Sequence, residues 1–174
     1  NMNLREDKHW SYGAGSFVWD AKGQRPLLAY APVQTDKTKE SVQEIMKDFK
    51  AFVGDKPMTQ EEFDRTKNNT VLQLPGRWET NGAVSSSIEE IVKYGLPDDY
   101  YKTYDKNVRA LTLDEVRKVS KQIVSPEKLT WFVVGDKEKI MSGLKEVGFS
   151  EIIAIDPDGN PIKPMGDVKL KTNN

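Results

Sequence analysis

The sequence predicts an α+β fold in which a mainly antiparallel sheet carries helices packed on one face. Three observations support this. Two short aromatic and β-branched runs flank a turn near the start of the chain. Amphipathic and capped helical patterns fill the middle, and a nearly continuous apolar run follows them. The length of 174 residues suits one domain with a sizeable core.

Residues 3–8 are charged and rich in helix formers, so they predict a short helix. Aromatic and β-branched side chains dominate residues 12–20, as they do in strands. Lys22-Gly23 supplies a turn, and residues 27–31 predict a second, antiparallel strand. We therefore expect a hairpin directly after the first helix.

An amphipathic helix is predicted next, because apolar side chains recur at helical spacing and Gly54 follows them: Val42, Ile45, Met46, Phe49, Phe52 and Val53. Thr59 and Glu62 have the spacing of a capping box, in which each side chain accepts a hydrogen bond from the other residue's backbone. We expect the helix that they open to run to about Leu74, where Pro75-Gly76 breaks it.

The second half of the helical region is predicted in the same way. A third helix carries Val84, Ile88, Ile91 and Val92 on one face, and Gly95 is placed to end that helix in a left-handed conformation. We expect Asp98 to cap a short helix. The tyrosines at 100, 101 and 104 lie on this helix and are expected to pack it onto neighbouring helices. Thr112 and Glu115 form a second capping box, with Val116, Val119 and Ile123 directed inward.

Two further strands are predicted, at 129–134 and 151–155, with a small helix around Ile140 and Leu144 between them. Residues 156–161 predict a turn. We place one domain at 1–156 and a turn with a loose tail at 157–174. A sheet of these strands alone has open edges, so missing sequence, a partner chain or a homodimer is expected to complete it. The opening residues already have a helical pattern, and we expect the chain to be truncated on its N-terminal side.

The composition excludes several kinds of function. Lys plus Arg is 26 and Asp plus Glu is 27, a balance that argues against a general nucleic-acid binder. No apolar run approaches the roughly 20 residues that span a bilayer. The chain has no cysteine, which excludes disulfides and thiolate metal sites and fits any compartment, including export from a bacterium. One histidine, His9, is a poor basis for a zinc site and is expected at the surface or at a helix end.

The candidate site is the pair Arg5 and Tyr12, seven residues apart in Arg5-Glu6-Asp7-Lys8-His9-Trp10-Ser11-Tyr12. This stretch resembles the pattern R-E-x-K-G-x-x-Y of the C-terminal halves of insulinase-like (pitrilysin-type) zinc metallopeptidases, except that His9 replaces the usual glycine. Further matching stretches follow in order: 74–80, the segment Tyr94-Gly95-Leu96-Pro97-Asp98-Asp99-Tyr100-Tyr101, 112–116 and 129–136. The resemblance extends from about residue 3 to 155.

The resemblance implies a substrate-binding domain that completes the active site of a zinc metalloendopeptidase. Arg5 and Tyr12 would stabilise the oxyanion that forms on the substrate carbonyl. Zinc would be held by an N-terminal half or a partner subunit absent from this chain, so the chain alone is expected to be inactive. No metal ligand is assigned within it.

Other interpretations remain open at the sequence level. The family includes partner subunits that keep the fold as non-catalytic scaffolds. Arg5 could pair with Glu6 or Asp7 on a helix surface while Tyr12 is an ordinary strand aromatic. The chain could also be an independent module whose sheet edge recruits a strand. Glu89 and Glu90 are expected to lie in solvent.

Overall fold

A computed structural model describes residues 2–162. A helical turn, Met2–Asp7, precedes a hairpin of two strands, and six helices follow. The strands are β1 (Gly15–Val18) and β2 (Leu27–Tyr30), and the helices are α1 (Thr38–Val53), α2 (Gln60–Leu72), α3 (Asn81–Tyr94), α4 (Tyr100–Ala110), α5 (Leu113–Ile123) and α6 (Lys137–Val147). The predicted α+β class is confirmed. Among residues 2–162, no helix is long and apolar enough to cross a membrane.

The hairpin forms where the sequence predicts it. β1 and β2 pair antiparallel with Gly15 opposite Tyr30 and Phe17 opposite Leu28. A Cβ on Gly15 would lie 3.2 Å from the ring of Tyr30, so the small residue leaves room for that ring. The aromatic side chains remain half exposed, with Trp19 at 53%. The hairpin therefore presents an aromatic surface to solvent.

The capping residues that the sequence predicts lie at the helix boundaries of the structure. Both capping boxes form, with Thr59 opening α2 and Thr112 opening α5. Gly95 ends α3 with φ +61°. Two details differ from expectation. α2 ends at Leu72, and the residue before α4 is Asp99, whose side chain makes no capping bond.

The core lies between α1 and α6. Val42, Ile140 and Leu144 are buried together, and Trp131 and Phe149 pack against them. The helices approach closely at Gly143, where a Cβ would lie 3.2 Å from the Cβ of Lys39. An ion pair between Lys39 and Glu146, more than 100 residues apart in the chain, also joins the two helices. This contact brings the two ends of the domain together.

The apolar faces of α3 and α5 are largely exposed. Val84, Ile88 and Val92 are 41%, 56% and 74% exposed, and the buried residue of α3 is Ser87. In α5, Val119 and Ile123 are also exposed. The prediction that the α5 face points inward is wrong for Val119 and Ile123, because no other element within residues 2–162 covers them.

The predicted strands at 129–134 and 151–155 do not form a sheet in the described part of the chain. Both segments lack helical structure, and the second makes only an isolated antiparallel bridge, between Ile155 and Pro161. The predicted turn after it is confirmed. Asp156 accepts hydrogen bonds from the backbone N–H groups of Asp158 and Asn160, which lowers its pKa. The predicted loose tail falls largely on residues 163–174, outside the described range.

Candidate functional site

The N-terminal turn that carries Arg5 is held by contacts on both of its sides. The N–H of Lys8 donates to the carbonyl of Asn3 at 3.0 Å, a spacing of five residues that makes the turn wider than an α-helix. Leu4 is buried, 3% exposed. The Asn3 amide donates to Glu44 on α1 at 2.9 Å and lowers the pKa of that carboxyl, since the bond favours the ionised form. The turn is thereby fixed to α1.

His9 follows the turn in a left-handed backbone conformation, with φ +58°. Its ring nitrogen Nδ1 lies 3.0 Å from the carbonyl oxygen of Arg5, to which an Nδ1–H can donate. The conformation accounts for the glycine that the family pattern carries here, because glycine adopts positive φ without steric cost. His9 therefore caps the Arg5 turn at a position that the pattern gives to glycine.

Backbone hydrogen bonds then fix the segment that leads to Tyr12. The N–H of Trp10 donates to the carbonyl of Leu4 at 2.9 Å, and the Trp10 carbonyl accepts from Gln34 at 2.9 Å. Ser11 makes an antiparallel bridge with Val33. The backbone on either side of the site is thus tied to the segment that precedes α1.

The side chains of the two predicted site residues both reach solvent. The Arg5 side chain is 53% exposed, and its Nε lies 3.4 Å from a carboxylate oxygen of Glu6. Tyr12 is 96% exposed. No hydrogen bond or ring contact joins Arg5 to Tyr12 within residues 2–162. The assignment of these residues to a site stays a prediction, and both side chains are exposed on a backbone that is held by hydrogen bonds.

The His, Asp and Glu side chains of the described residues decide whether this part of the chain could hold a metal ion. Among the described residues, no group of three or more His, Asp or Glu side chains is arranged to hold a metal ion. His9, the one histidine of the sequence, is turned toward a backbone carbonyl.

A second polar cluster, which the sequence did not single out, joins the loop after α2 to α3 and α4. Arg77 donates to Glu90 at 3.1 Å and to the hydroxyl of Tyr101 at 2.9 Å, and that hydroxyl donates to Glu90. The Trp78 indole donates to Ser87 at 2.9 Å. Burial and the bond to Glu90 raise the pKa of Tyr101. Glu89 lies in solvent as expected, whereas Glu90 is only partly exposed and is bonded to Arg77 and Tyr101.

This cluster also confirms that the aromatic helix packs onto its neighbours. The rings of Tyr101 and Trp78 meet edge to face with centroids 5.4 Å apart, and the Arg77 guanidinium lies 4.7 Å from the Tyr101 ring centroid. In the sequence, the Arg77-Trp78 pair after the Pro-Gly break is the signal that indicates this polar cluster. Partly buried arginine and tryptophan side chains usually form hydrogen bonds or ring contacts with neighbouring residues.

Both the sequence and the fold of this chain are similar to those of known proteins. The sequence model of a family described as the peptidase M16 inactive domain matches residues 1–70, the part that contains Arg5, Tyr12 and the hairpin. The fold is similar to the crystal structure of a peptidase M16 inactive domain from Pseudomonas fluorescens, with a TM-score of 0.65 at 16% sequence identity. No curated protein matches the sequence.

The match covers 73% of this chain and 30% of the Pseudomonas fluorescens chain, so the present chain spans well under half the length of that protein. The matched sequence contains the predicted site, and the likeness in fold extends over about three quarters of the chain. The predicted resemblance to the C-terminal domain of insulinase-like proteins is thereby confirmed: residues 1–70 match the model of the peptidase M16 inactive domain, and the chain is similar in fold to a solved domain of that description.

Proposed function

We propose that this chain is the substrate-binding domain that completes the active site of a zinc metalloendopeptidase, and that it does not hydrolyse peptides alone. Zinc and the general base belong, in this proposal, to another domain or subunit. Arg5 and Tyr12 are the residues that this chain contributes. The observation that carries the proposal is their presentation, both side chains exposed, on a backbone anchored at both ends.

The proposed chemistry follows from the donors that these side chains supply. Attack of water on a peptide carbonyl converts the carbonyl oxygen into an oxyanion. The Arg5 guanidinium is a permanent cation with several N–H donors, and the Tyr12 phenol is a neutral O–H donor. Donors held in place before the reaction stabilise the oxyanion more than the carbonyl that precedes it, which lowers the barrier.

The anchoring contacts support a positioning role for the turn. Asn3, Leu4 and Trp10 fix the backbone on both sides of Arg5 through hydrogen bonds and burial. The exposed ion pair with Glu6 is weak, because solvent screens it. The Arg5 side chain can therefore leave Glu6 for a substrate at little cost.

The test is peptide turnover by the zinc-bearing half or subunit, measured with and without this chain. Arg5→Ala and Tyr12→Phe are each expected to lower kcat by about 10²- to 10³-fold, the usual effect of losing one oxyanion donor. Arg109→Ala and Tyr30→Phe are matched controls, since Arg109 also makes an exposed carboxylate pair and Tyr30 is also exposed. Unchanged turnover in both site variants would refute the proposed roles.

A non-catalytic scaffold subunit is the second candidate, and the Arg5–Glu6 ion pair favours it, because a surface pair needs no substrate. The same experiment separates the two. If the chain is a scaffold, the wild type, Arg5→Ala and Tyr12→Phe restore the turnover of the zinc-bearing partner equally well. A contributor to the active site does so only with both side chains present.

A further inference from the structure

The strand pairing is irregular between Ser11 and Gly15. Ser11 lies opposite Val33 in an antiparallel bridge, and Gly15 lies opposite Tyr30 in the hairpin. Three residues therefore separate the two paired positions on the first strand, whereas two separate them on its partner. One residue in excess on one strand is the defining feature of a β-bulge, which bends the strand and changes the face that neighbouring side chains occupy. We call residues 12–14 the bulge.

Backbone hydrogen bonds hold the pairing on both sides of the bulge. On one side, the N–H of Gln34 donates to the carbonyl of Trp10 at 2.9 Å, in the register of the isolated bridge. On the other side, the N–H of Trp19 donates to the carbonyl of Pro26 at 2.9 Å, in the register of the hairpin. Pro32, opposite the bulge, has no N–H to donate to a ladder, and proline within sheets is confined to edges and bulges. The change of register is therefore confined to the bulge.

The Ser11 hydroxyl bridges the bulge. Its Oγ accepts a hydrogen bond from the N–H of Gly13 at 3.1 Å. It also lies 2.7 Å from the carbonyl oxygen of Pro32 and 2.6 Å from that of Gly13, and its single proton can be donated to these carbonyls. A serine side chain that bonds to the backbone two residues ahead forms a turn around the residue between them. That residue is Tyr12, where the chain bends.

The direction of the Tyr12 side chain depends on this backbone turn. The side chain is 96% exposed, so packing against neighbouring residues contributes little to its position. We infer that Ser11 is a positioning residue for Tyr12, whose hydroxyl holds the bulge in the shape that projects the phenol into solvent. The inference rests on the proposed function, in which the phenol donates to the oxyanion. Without the Ser11 hydroxyl, the N–H of Gly13 loses its partner, and the phenol occupies the productive position for a smaller fraction of the time.

Peptide turnover with the zinc-bearing half or subunit tests this role. Ser11→Ala should lower kcat roughly three- to tenfold, the factor that corresponds to one neutral hydrogen bond. KM should stay unchanged, because Tyr12 is proposed to act on the transition state. Ser11→Thr keeps a hydroxyl and should restore kcat to the wild-type value. Ser16→Ala removes an exposed serine hydroxyl from β1 and is the matched control, with kcat unchanged.

The loss of turnover in Ser11→Ala must also depend on the Tyr12 phenol. In the Tyr12→Phe background there is no phenolic donor to position. Adding Ser11→Ala to this background should therefore lower kcat by less than about twofold, which is the coupling expected of two residues that act together. An equal loss of kcat in both backgrounds would show that Ser11 acts by another route, and this result overturns the inference.

The mobility of the bulge gives a readout that does not need the zinc-bearing partner. Nitrogen-15 NMR relaxation of the full chain should give amide order parameters of roughly 0.85 for Tyr12 and Gly13, the value of rigid backbone. These order parameters should fall in Ser11→Ala and be retained in Ser11→Thr. Circular dichroism checks that each variant keeps its helical content. Identical order parameters in the wild type and Ser11→Ala overturn the inference.

Failure of this inference can be told apart from failure of the proposed function. If Tyr12→Phe lowers kcat and Ser11→Ala does not, Tyr12 keeps its role and the role of Ser11 is refuted. If Tyr12→Phe leaves kcat unchanged, the proposed function is refuted, and the role of Ser11 in catalysis is refuted with it.

Discussion

His9 shows how a single backbone angle constrains which residue a position accepts. At φ +58° a side chain with branching at Cβ collides with its own backbone, whereas glycine does not. Histidine is among the residues that tolerate this region, and its ring gains a contact with the Arg5 carbonyl. The departure from the family pattern therefore preserves the turn rather than disrupting it.

This constraint predicts a difference between two substitutions at the same site. The free energy of unfolding should be about 1–2 kcal/mol lower for His9→Val than for His9→Gly. Valine has a Cβ that is strained in the left-handed conformation, and glycine has none. Urea denaturation of the two variants measures the difference. Equal stabilities would show that residue 9 does not hold a positive φ in solution.

For Arg5 and Tyr12, the sequence could indicate the backbone positions but not the surroundings. The short helix and the strand that follows Tyr12 result from local preferences, so both were predictable. The Asn3 anchor was not, because its partner Glu44 is 41 residues away and no local pattern links them. The wider winding of the turn, with its hydrogen bond from Lys8 to Asn3, was likewise not indicated by any local pattern.

At the scale of elements, the helix starts were the most predictable feature because their signals are local. In α5, the Thr112 hydroxyl and backbone N–H donate to the Glu115 carboxylate at 2.8 and 2.9 Å. Both bonds require only residues three apart, and the sequence shows that spacing directly. The same argument holds for Thr59 and Glu62.

The capping box at α5 predicts a defined dependence of stability on pH. Hydrogen bonds from the Thr112 side chain and backbone lower the pKa of Glu115 from its ordinary 4.5. Because the pKa is lower in the folded state, the ionised Glu115 contributes fully to the free energy of unfolding above about pH 4.5. This contribution is lost as the pH falls through the lower folded-state pKa. The cap of α5 therefore weakens in acid.

Glu115→Gln tests this directly, because glutamine keeps an oxygen that can accept the capping bonds but does not titrate. The variant should be close to wild type at pH 7 and lose less stability between pH 5 and pH 3, measured by thermal unfolding. Glu151→Gln, at a carboxylate outside any helix, is the control. Identical acid profiles for wild type and Glu115→Gln would contradict the role assigned to the cap.

The strand predictions failed for a reason that also belongs to this scale. A helix satisfies its backbone hydrogen bonds within itself, whereas a strand needs a neighbour. The apolar sequences at 129–134 and 151–155 specify extended segments with strand-forming side chains. They do not specify a neighbouring strand, and within residues 2–162 no strand pairs with either segment in a ladder. The hairpin succeeded because its partner lies only a turn away.

At the scale of the whole molecule, a small core carries the fold. The buried hydrophobic side chains are few for a domain of this length, and the main cluster of Val42, Ile140 and Leu144 lies between α1 and α6. Elsewhere, α3, α5 and the 129–134 segment turn apolar side chains to solvent. These side chains contribute little to the burial that stabilises the fold. Stability should therefore be concentrated at one contact.

Two leucines with opposite surroundings test that distribution. Leu144 is 5% exposed within the core, whereas Leu72, at the end of α2, is 74% exposed. Leu144→Ala should lower the free energy of unfolding by about 2–5 kcal/mol, through lost burial and the cavity left behind. Leu72→Ala should change it by less than about 0.5 kcal/mol. Urea denaturation of the two variants measures both values. A large loss for Leu72→Ala would mean that the end of α2 is covered in solution, and that the apolar surface of this chain is already occupied.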